Sequence, residues 1–310
     1  MTLNPTIAAW LDLMKDLPRL ESLPVADARA SLAAAAVLAP PPPAVGHVTN
    51  RTLSTPAGPV PVRLYTPFGI GAFPLTLFFH GGGFVVGDLE SHDAACRHLC
   101  LAANSIVLAV DYRLAPEHPF PAAIDDCLAV TRWATEHAGE IGADARRVAV
   151  AGDSAGGNLA TVVAIRVRDQ GGPKLCAQLL NCPWVDTDMT RPSYQENAEG
   201  YFLTLALMRW FEGHYLTQPE QRRNGEVAPL RAKSLKGLPP AYVLTAEYDP
   251  LRDEGEAYAD ALAAAGVPVV KKRVSGMIHD FPILSLNVIP EAAEELAAFG
   301  AWLKARFASV

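Results

Sequence analysis

The stretch Arg147 to Asp169, RVAVAGDSAGGNLATVVAIRVRD, decides the fold. Its first half is a short apolar run of strand character and its second half has helical spacing, with Gly152-Asp153-Ser154-Ala155-Gly156 at the junction. Gly152 and Gly156 permit a turn sharp enough to expose the Ser154 hydroxyl. The helix that follows brings its positive end, and the Ala155 N–H, to the place where negative charge would develop on an attacked carbonyl. Alone, a G-x-S-x-G string also fits a plain turn that caps a helix. The strand before it and the helix after it favour a serine nucleophile.

The same rhythm continues on both sides. PLTLFFH (Pro74 to His80), SIVLAVDY (Ser105 to Tyr112), CAQLLN (Cys176 to Asn181), AYVLTAE (Ala241 to Glu247) and PVVKKRV (Pro268 to Val274) have strand character and are separated by helical periodicity. That alternation predicts an α/β fold, a mostly parallel sheet with helices on both faces. HVTNRTLS and PVPVRLYT flank a turn at Pro56, Ala57 and Gly58, which predicts an antiparallel hairpin at the sheet edge. From about Pro290 a last helix places Leu296, Phe299, Leu303 and Phe307 on one stripe.

Two further segments lie outside this pattern. A helix capped by Asn4 with Pro5 at its first position and an Ala-rich helix from about Ala26 to Leu38 open the chain, before Pro40 to Pro43 end helix. Between Pro183 and Leu238 the chain is too long for a simple crossover and carries its own aromatic-rich helical pattern around Leu203 to Leu216. The expected organisation is N-terminal cap helices over 1–45, a core over 46–185, a lid insertion over 186–236 and the rest of the core over 237–310.

The composition excludes several classes of function. With 26 Lys+Arg against 33 Asp+Glu the chain is acidic and has no basic stripe, which argues against nucleic acid. Five cysteines are an odd number without framework spacing and suit reduced thiols. Prolines and glycines break both long uncharged stretches, Ala30 to Asn50 and Leu64 to Gly87, so no membrane span is expected. The N-terminus lacks the basic region of a secretory leader, and a cytoplasmic protein is expected.

A serine hydroxyl is a weak nucleophile until a base takes its proton, with a carboxylate behind that base. After Ser154 only His214 and His279 remain, and His214 lies in the lid pattern. His279, in a short loop after PVVKKRV, is the better candidate. Asp249 stands just past AYVLTAE, at the sheet end where catalytic loops gather, and Pro250 opens the next helix. Asp253 and Glu254 fall inside that helix and read as a solvated first turn. Spacing favours Asp249 over Glu247 without deciding between them. His80, Gly81, Gly82 and Gly83 follow the strand PLTLFF, and successive glycines let bare backbone N–H groups approach a substrate oxygen. His80, Gly81 and Asp153 are expected to support this loop and the serine turn.

These motifs resemble the hormone-sensitive-lipase-like esterases, the bacterial family IV carboxylesterases of the α/β-hydrolase superfamily. Beyond HGGG and GDSAGG, the segments DYRLAPEHPFPAA (Asp111 to Ala123) and DPLRDEG (Asp249 to Gly255) are similar to that family's blocks, and the likeness runs from about Leu53 to the C-terminus. The resemblance implies Ser154, Asp249 and His279 as triad, with Gly82, Gly83 and Ala155 offering oxyanion N–H groups, under a helical cap. It implies a serine carboxylesterase with a small ester as partner. Trp184, Tyr201, Phe202, Trp210 and Phe211 cluster in and beside the lid segment and point to short- to medium-chain acyl esters, and with no Rossmann or Walker phosphate loop no cofactor is expected. Two departures stand out. Asp280 follows His279 where the family usually has Gly, and Ala228-Pro229-Leu230 replaces the family's Ser-Pro-Leu.

The order Ser, Asp, His excludes the chymotrypsin fold that GDSAGG superficially echoes. An amidase or peptidase uses the same triad, and a non-catalytic receptor of the same fold would lack the catalytic His that stands here as His279. His92, Cys96 and Cys100, with His98 near, share a helix face, but ligands strung along one helix overreach a single metal, so they read as core and no metal is expected. The family often pairs edge strands into homodimers, which makes PVVKKRV a candidate interface; Lys271, Lys272 and Arg273 equally suit protection of a monomer's edge.

Overall fold

The computed structural model of the chain describes residues 2–38, 41–284, 286 and 288–310. Eight strands form one sheet in the order β1-β2-β4-β3-β5-β6-β7-β8. They are β1 (His47–Thr55), β2 (Gly58–Thr66), β3 (Phe73–Phe79), β4 (Ile106–Val110), β5 (Ala143–Asp153), β6 (Ala177–Asn181), β7 (Ala241–Tyr248) and β8 (Val269–Ile278). The helices are α1 (Pro5–Met14), α2 (Val25–Leu38), α3 (Asp93–Ala103), α4 (Ala122–Glu136), α5 (Ala155–Asp169), α6 (Pro192–Glu196), α7 (Leu205–Tyr215), α8 (Arg252–Ala264), α9 (Phe281–Leu284) and α10 (Pro290–Ala308). β1 and β2 form the expected antiparallel hairpin, β2 pairs antiparallel with β4, and every pairing from β4 to β8 is parallel. Two apolar layers cover the faces of the sheet. Leu296, Phe299, Leu303 and Phe307 of α10 are buried in one of them, as their spacing predicts.

Asn4 caps α1 by accepting the N–H groups of Thr6 and Ile7, with Pro5 at the first position. The N-terminal segment and the insertion meet over one end of the sheet. Trp10 lies 5.6 Å from Phe202, and Arg19 pairs with Glu199 at 2.9 Å. Among the described residues no helix is long and apolar enough to cross a membrane. All five cysteines carry free thiols.

Candidate active site

Parallel strands deliver their carboxyl ends to one edge of the sheet, and there β5 to β8 place the candidate residues side by side. Asp153 of β5 pairs with Asn181 of β6, and Ser154 is the next residue along. Its backbone has φ 53°, a left-handed conformation that costs a β-carbon residue about 1–3 kcal/mol. Two backbone bonds hold it there: Ser154 N–H donates to Asn181 O at 2.9 Å, and Trp184 N–H donates to Ser154 O at 3.0 Å. The turn also needs Gly156, where a Cβ would sit 1.9 Å from the Phe79 carbonyl oxygen. α5 starts at Ala155 and points its N-terminus at this turn.

The other two candidates meet through a register shift. β7 and β8 run in step up to Ala246 and Val274, but Tyr248 then pairs with Ile278, so β8 carries two extra residues. That bulge contains Gly276 (φ 74°), whose N–H donates to Glu247 Oε2 at 2.8 Å. One step past the Tyr248 and Ile278 pair come Asp249 and His279. His279 Nδ1 and Asp249 Oδ2 are 2.8 Å apart, both side chains buried. Asp249 Oδ1 accepts the Leu251 N–H at 2.8 Å, so both carboxylate oxygens are engaged. The structure thus puts Asp249 against the imidazole and Glu247 on the bulge. His214 lies on α7 with its ring 4.6 Å from Trp210.

The second ring nitrogen has an unexpected neighbour. His279 Nε2 lies 3.1 Å from Asp280 Oδ2, while Asp280 Oδ1 accepts from Asn181 Nδ2 at 3.0 Å. No hydrogen bond joins Ser154 Oγ to His279 among the described residues. Burial works to lower the His279 pKa, but the charges of Asp249 and then Asp280 outweigh it and hold the imidazole well above its ordinary value. Burial likewise pushes the Asp280 carboxyl up to about 7, against the pull of His279. Asp280 has φ 51°, which explains the resemblance's preference for glycine here; aspartate is among the few side chains that tolerate this region. The Cys182 thiol is buried against the same pair.

The glycine loop is braced from behind. Gly81 N–H donates to Asp153 Oδ2 at 3.0 Å, and His92 Nε2 lies 3.1 Å from the same oxygen. His80 Nδ1 lies 2.7 Å from Gly81 O, Tyr112 Oη donates to His80 O at 2.7 Å, and the two rings stack at 4.3 Å. Burial and then the charge of His92 push His80 down to about 4, so it is neutral near neutral pH. Gly83 has φ 60°, and a Cβ there would lie 2.1 Å from Phe211 Cγ. Helix α7 therefore packs directly onto the glycine loop, and Phe84 stacks on Tyr215 of α7 at 3.8 Å.

This geometry has close relatives. Residues 76–283 match the profile of a family described by the alpha/beta hydrolase fold. The chain is 47% identical to esterase LipI of Mycobacterium tuberculosis over 80% of its own length and 78% of the relative's. It is 39% identical to ethyl acetate hydrolase of Pseudomonas putida, covering 96% of each chain. The crystal structure of a thermostable esterase from Pseudomonas putida ECU1011 superposes with a TM-score of 0.96 at 40% identity, covering 99% of this chain and 98% of that one. The chain belongs to the hormone-sensitive-lipase-like α/β-hydrolases. It is a carboxylic ester hydrolase.

Within this α/β-hydrolase, sequence reasoning placed Ser154, Asp249, His279 and the loop from His80 to Gly83 at one sheet end, and the structure brings them together. Two of its readings are corrected. Glu254 is not a solvated first-turn residue: it is buried, with Oε1 accepting Val185 N–H at 2.7 Å and Asp186 N–H at 3.0 Å, and Oε2 accepting Tyr194 Oη at 3.0 Å. The helix start carries it beneath the segment from Val185 to Tyr194 instead of into water. His92 is not plain core packing, because it precedes α3 and holds Asp153, although Cys96 and Cys100 are buried as expected. No local signal in the sequence marks Tyr112 as a support of the glycine loop. It lies inside DYRLAPEHPFPAA, and only the return of that segment beneath the glycine loop shows its use.

Proposed function

We propose that the chain hydrolyses short- to medium-chain acyl esters through an acyl-enzyme on Ser154. The single observation that carries this is the buried His279–Asp249 contact of 2.8 Å, beside a serine held on a strained strand-to-helix turn. In this reading His279 Nε2 takes the Ser154 proton as Oγ attacks the ester carbon. The N–H groups of Gly82, Gly83 and Ala155 receive the oxyanion. Collapse expels the alcohol, which takes its proton from His279, and a water then repeats the sequence to release the acid. Asp249 keeps the imidazole's Nδ1 side protonated and oriented. Asp280 competes for Nε2, so the imidazole must leave it before the first proton transfer.

The N-terminal helices and the insertion act as a cap whose Phe211 and Trp184 bound the acyl side. The same reading takes a small ester as the ligand and a cytoplasmic setting. β8 is the candidate homodimer edge, since Lys271 and Arg273 turn to Asp260 and Glu256 of α8 and Lys272 turns to Glu295 of α10.

A p-nitrophenyl alkylphosphonate tests the nucleophile. Ser154 Oγ should form a bond to phosphorus with loss of p-nitrophenolate, giving one adduct on the Ser154 peptide that is nearly absent in His279→Ala. An adduct on any other residue would overturn the assignment. Matched ester and amide substrates decide between esterase and amidase, and the faster turnover is expected on the ester.

A further inference from the structure

Cys182 has no part in ester hydrolysis as described, yet it stands at the end of β6 against the Asp249–His279 pair. Its sulfur, a carboxylate oxygen of Asp249 and a ring nitrogen of His279 all lie within 4.8 Å of one another, and all three side chains are buried. The backbone at Cys182 has φ 43°, so the chain has left strand geometry where the thiol meets the imidazole.

We propose that Cys182, His279 and Asp249 form an inhibitory binding site for zinc(II). The donor set is one thiolate, one imidazole and one carboxylate, which suits zinc and not the oxygen-seeking calcium or magnesium. Tetrahedral zinc with sulfur at about 2.3 Å and nitrogen or oxygen at about 2.0–2.2 Å needs ligand atoms roughly 3.3–3.8 Å apart, so small side-chain movements close the site. Three protein ligands leave a fourth position open on the cation, for water. Binding forms zinc–sulfur, zinc–nitrogen and zinc–oxygen bonds; the thiol proton and the proton on the coordinating ring nitrogen pass to water, with no change of oxidation state. While zinc is held, His279 cannot accept the Ser154 proton, and hydrolysis stops.

Inhibition as the consequence rests on the serine-esterase reading; binding itself does not. The full chain is stripped with a chelator in a Cys176→Ser background, because Cys176 is the partly exposed thiol. Zinc titration should then inhibit ester hydrolysis reversibly, with activity restored by EDTA. Cys182→Ser should need at least about tenfold more zinc for the same inhibition. Cobalt(II), used as the spectroscopic probe, should give one equivalent of thiolate charge-transfer absorption in this background and in Ser154→Ala, and none in Cys182→Ser or His279→Ala. Equal zinc sensitivity in Cys182→Ser, or a cobalt–thiolate band that survives it, overturns the proposal. Should Cys182→Ser fail to fold, Cys182→Ala and the cobalt band of His279→Ala decide the same point. An enzyme that hydrolyses no ester would sink the catalytic reading instead, and the cobalt titration would still report on the site.

Discussion

Asp280 Oδ2 stands 3.1 Å from His279 Nε2, on the nitrogen through which a serine nucleophile would pass its proton. The imidazole is thus held between two carboxylates, Asp249 on Nδ1 and Asp280 on Nε2. A base works only when it is unprotonated, and both charges favour the protonated ring. The acidic limb of kcat/KM should therefore lie above the ordinary histidine value of about 6.5, with activity falling as pH drops through it. Asp280→Asn removes the charge and Asp280→Gly removes the side chain at a backbone position that suits glycine. Both should move the limb to lower pH and raise the rate below neutrality. A limb that stays in place in both variants would show that Asp249 alone sets the base.

Asp249 and Glu247 are two residues apart and face different partners, the imidazole and the Gly276 N–H. Asp249→Asn should leave the fold intact and cut kcat by on the order of 10⁴-fold, because the His279 tautomer is no longer enforced. Glu247→Gln should keep most of the activity. Steady-state kinetics on the two variants checks the assignment, and the reverse ranking would make Glu247 the acid.

Glu254 sinks a carboxylate beneath the segment after β6 with three donors aimed at it. Glu254→Ala strands those donors at a cost of about 1–3 kcal/mol each, and should lower the melting temperature markedly. Glu254→Gln keeps an acceptor for the two backbone N–H groups and should cost far less. Burial raises the carboxyl to about 8, more than its three hydrogen bonds lower it. A raised acid contributes stability that is full below its unfolded pKa and lost as pH rises through the folded value. The wild type should therefore lose stability between about pH 5 and 9, and Glu254→Gln should show a flatter profile in thermal melts.

Phe211 of α7 packs against the glycine loop, and Trp184 lies 5.6 Å from Phe84. A pocket closed by such rings gains about 0.8 kcal/mol per buried methylene until it is full. Rates on soluble p-nitrophenyl esters should rise and then fall with acyl length, and Phe211→Ala should move the optimum to longer chains. Activity that still climbs at the longest chains, or that jumps at an oil interface, would mark an interfacial lipase.

The alternation of strands and helices along the chain, the hairpin, the serine turn and the helix around Leu205–Tyr215 were legible because each is written in local signals: period, glycine and proline placement, and capping at Asn4. What escaped is set by long-range register. The two extra residues of β8 that bring His279 to Asp249 leave no mark on a hydrophobic pattern, since Ser275 and Gly276 look like any loop. His92, Tyr112 and Glu254 come from segments distant in sequence, and their partners appear only when the sheet assembles. Asp280 was visible as a charge beside the base, but not its choice of Nε2.

Ser154→Ala bears most directly on the whole reading, because it removes one oxygen from a turn whose backbone bonds to Asn181 and Trp184 remain available. The measurement is kcat/KM on a short-chain p-nitrophenyl ester, with circular dichroism showing that the variant is folded. A loss on the order of 10³-fold or more is expected, with little further loss on adding His279→Ala, since the two side chains act as one unit. Near-wild-type hydrolysis by folded Ser154→Ala would contradict Ser154 as nucleophile and, with it, the mechanism built on this site.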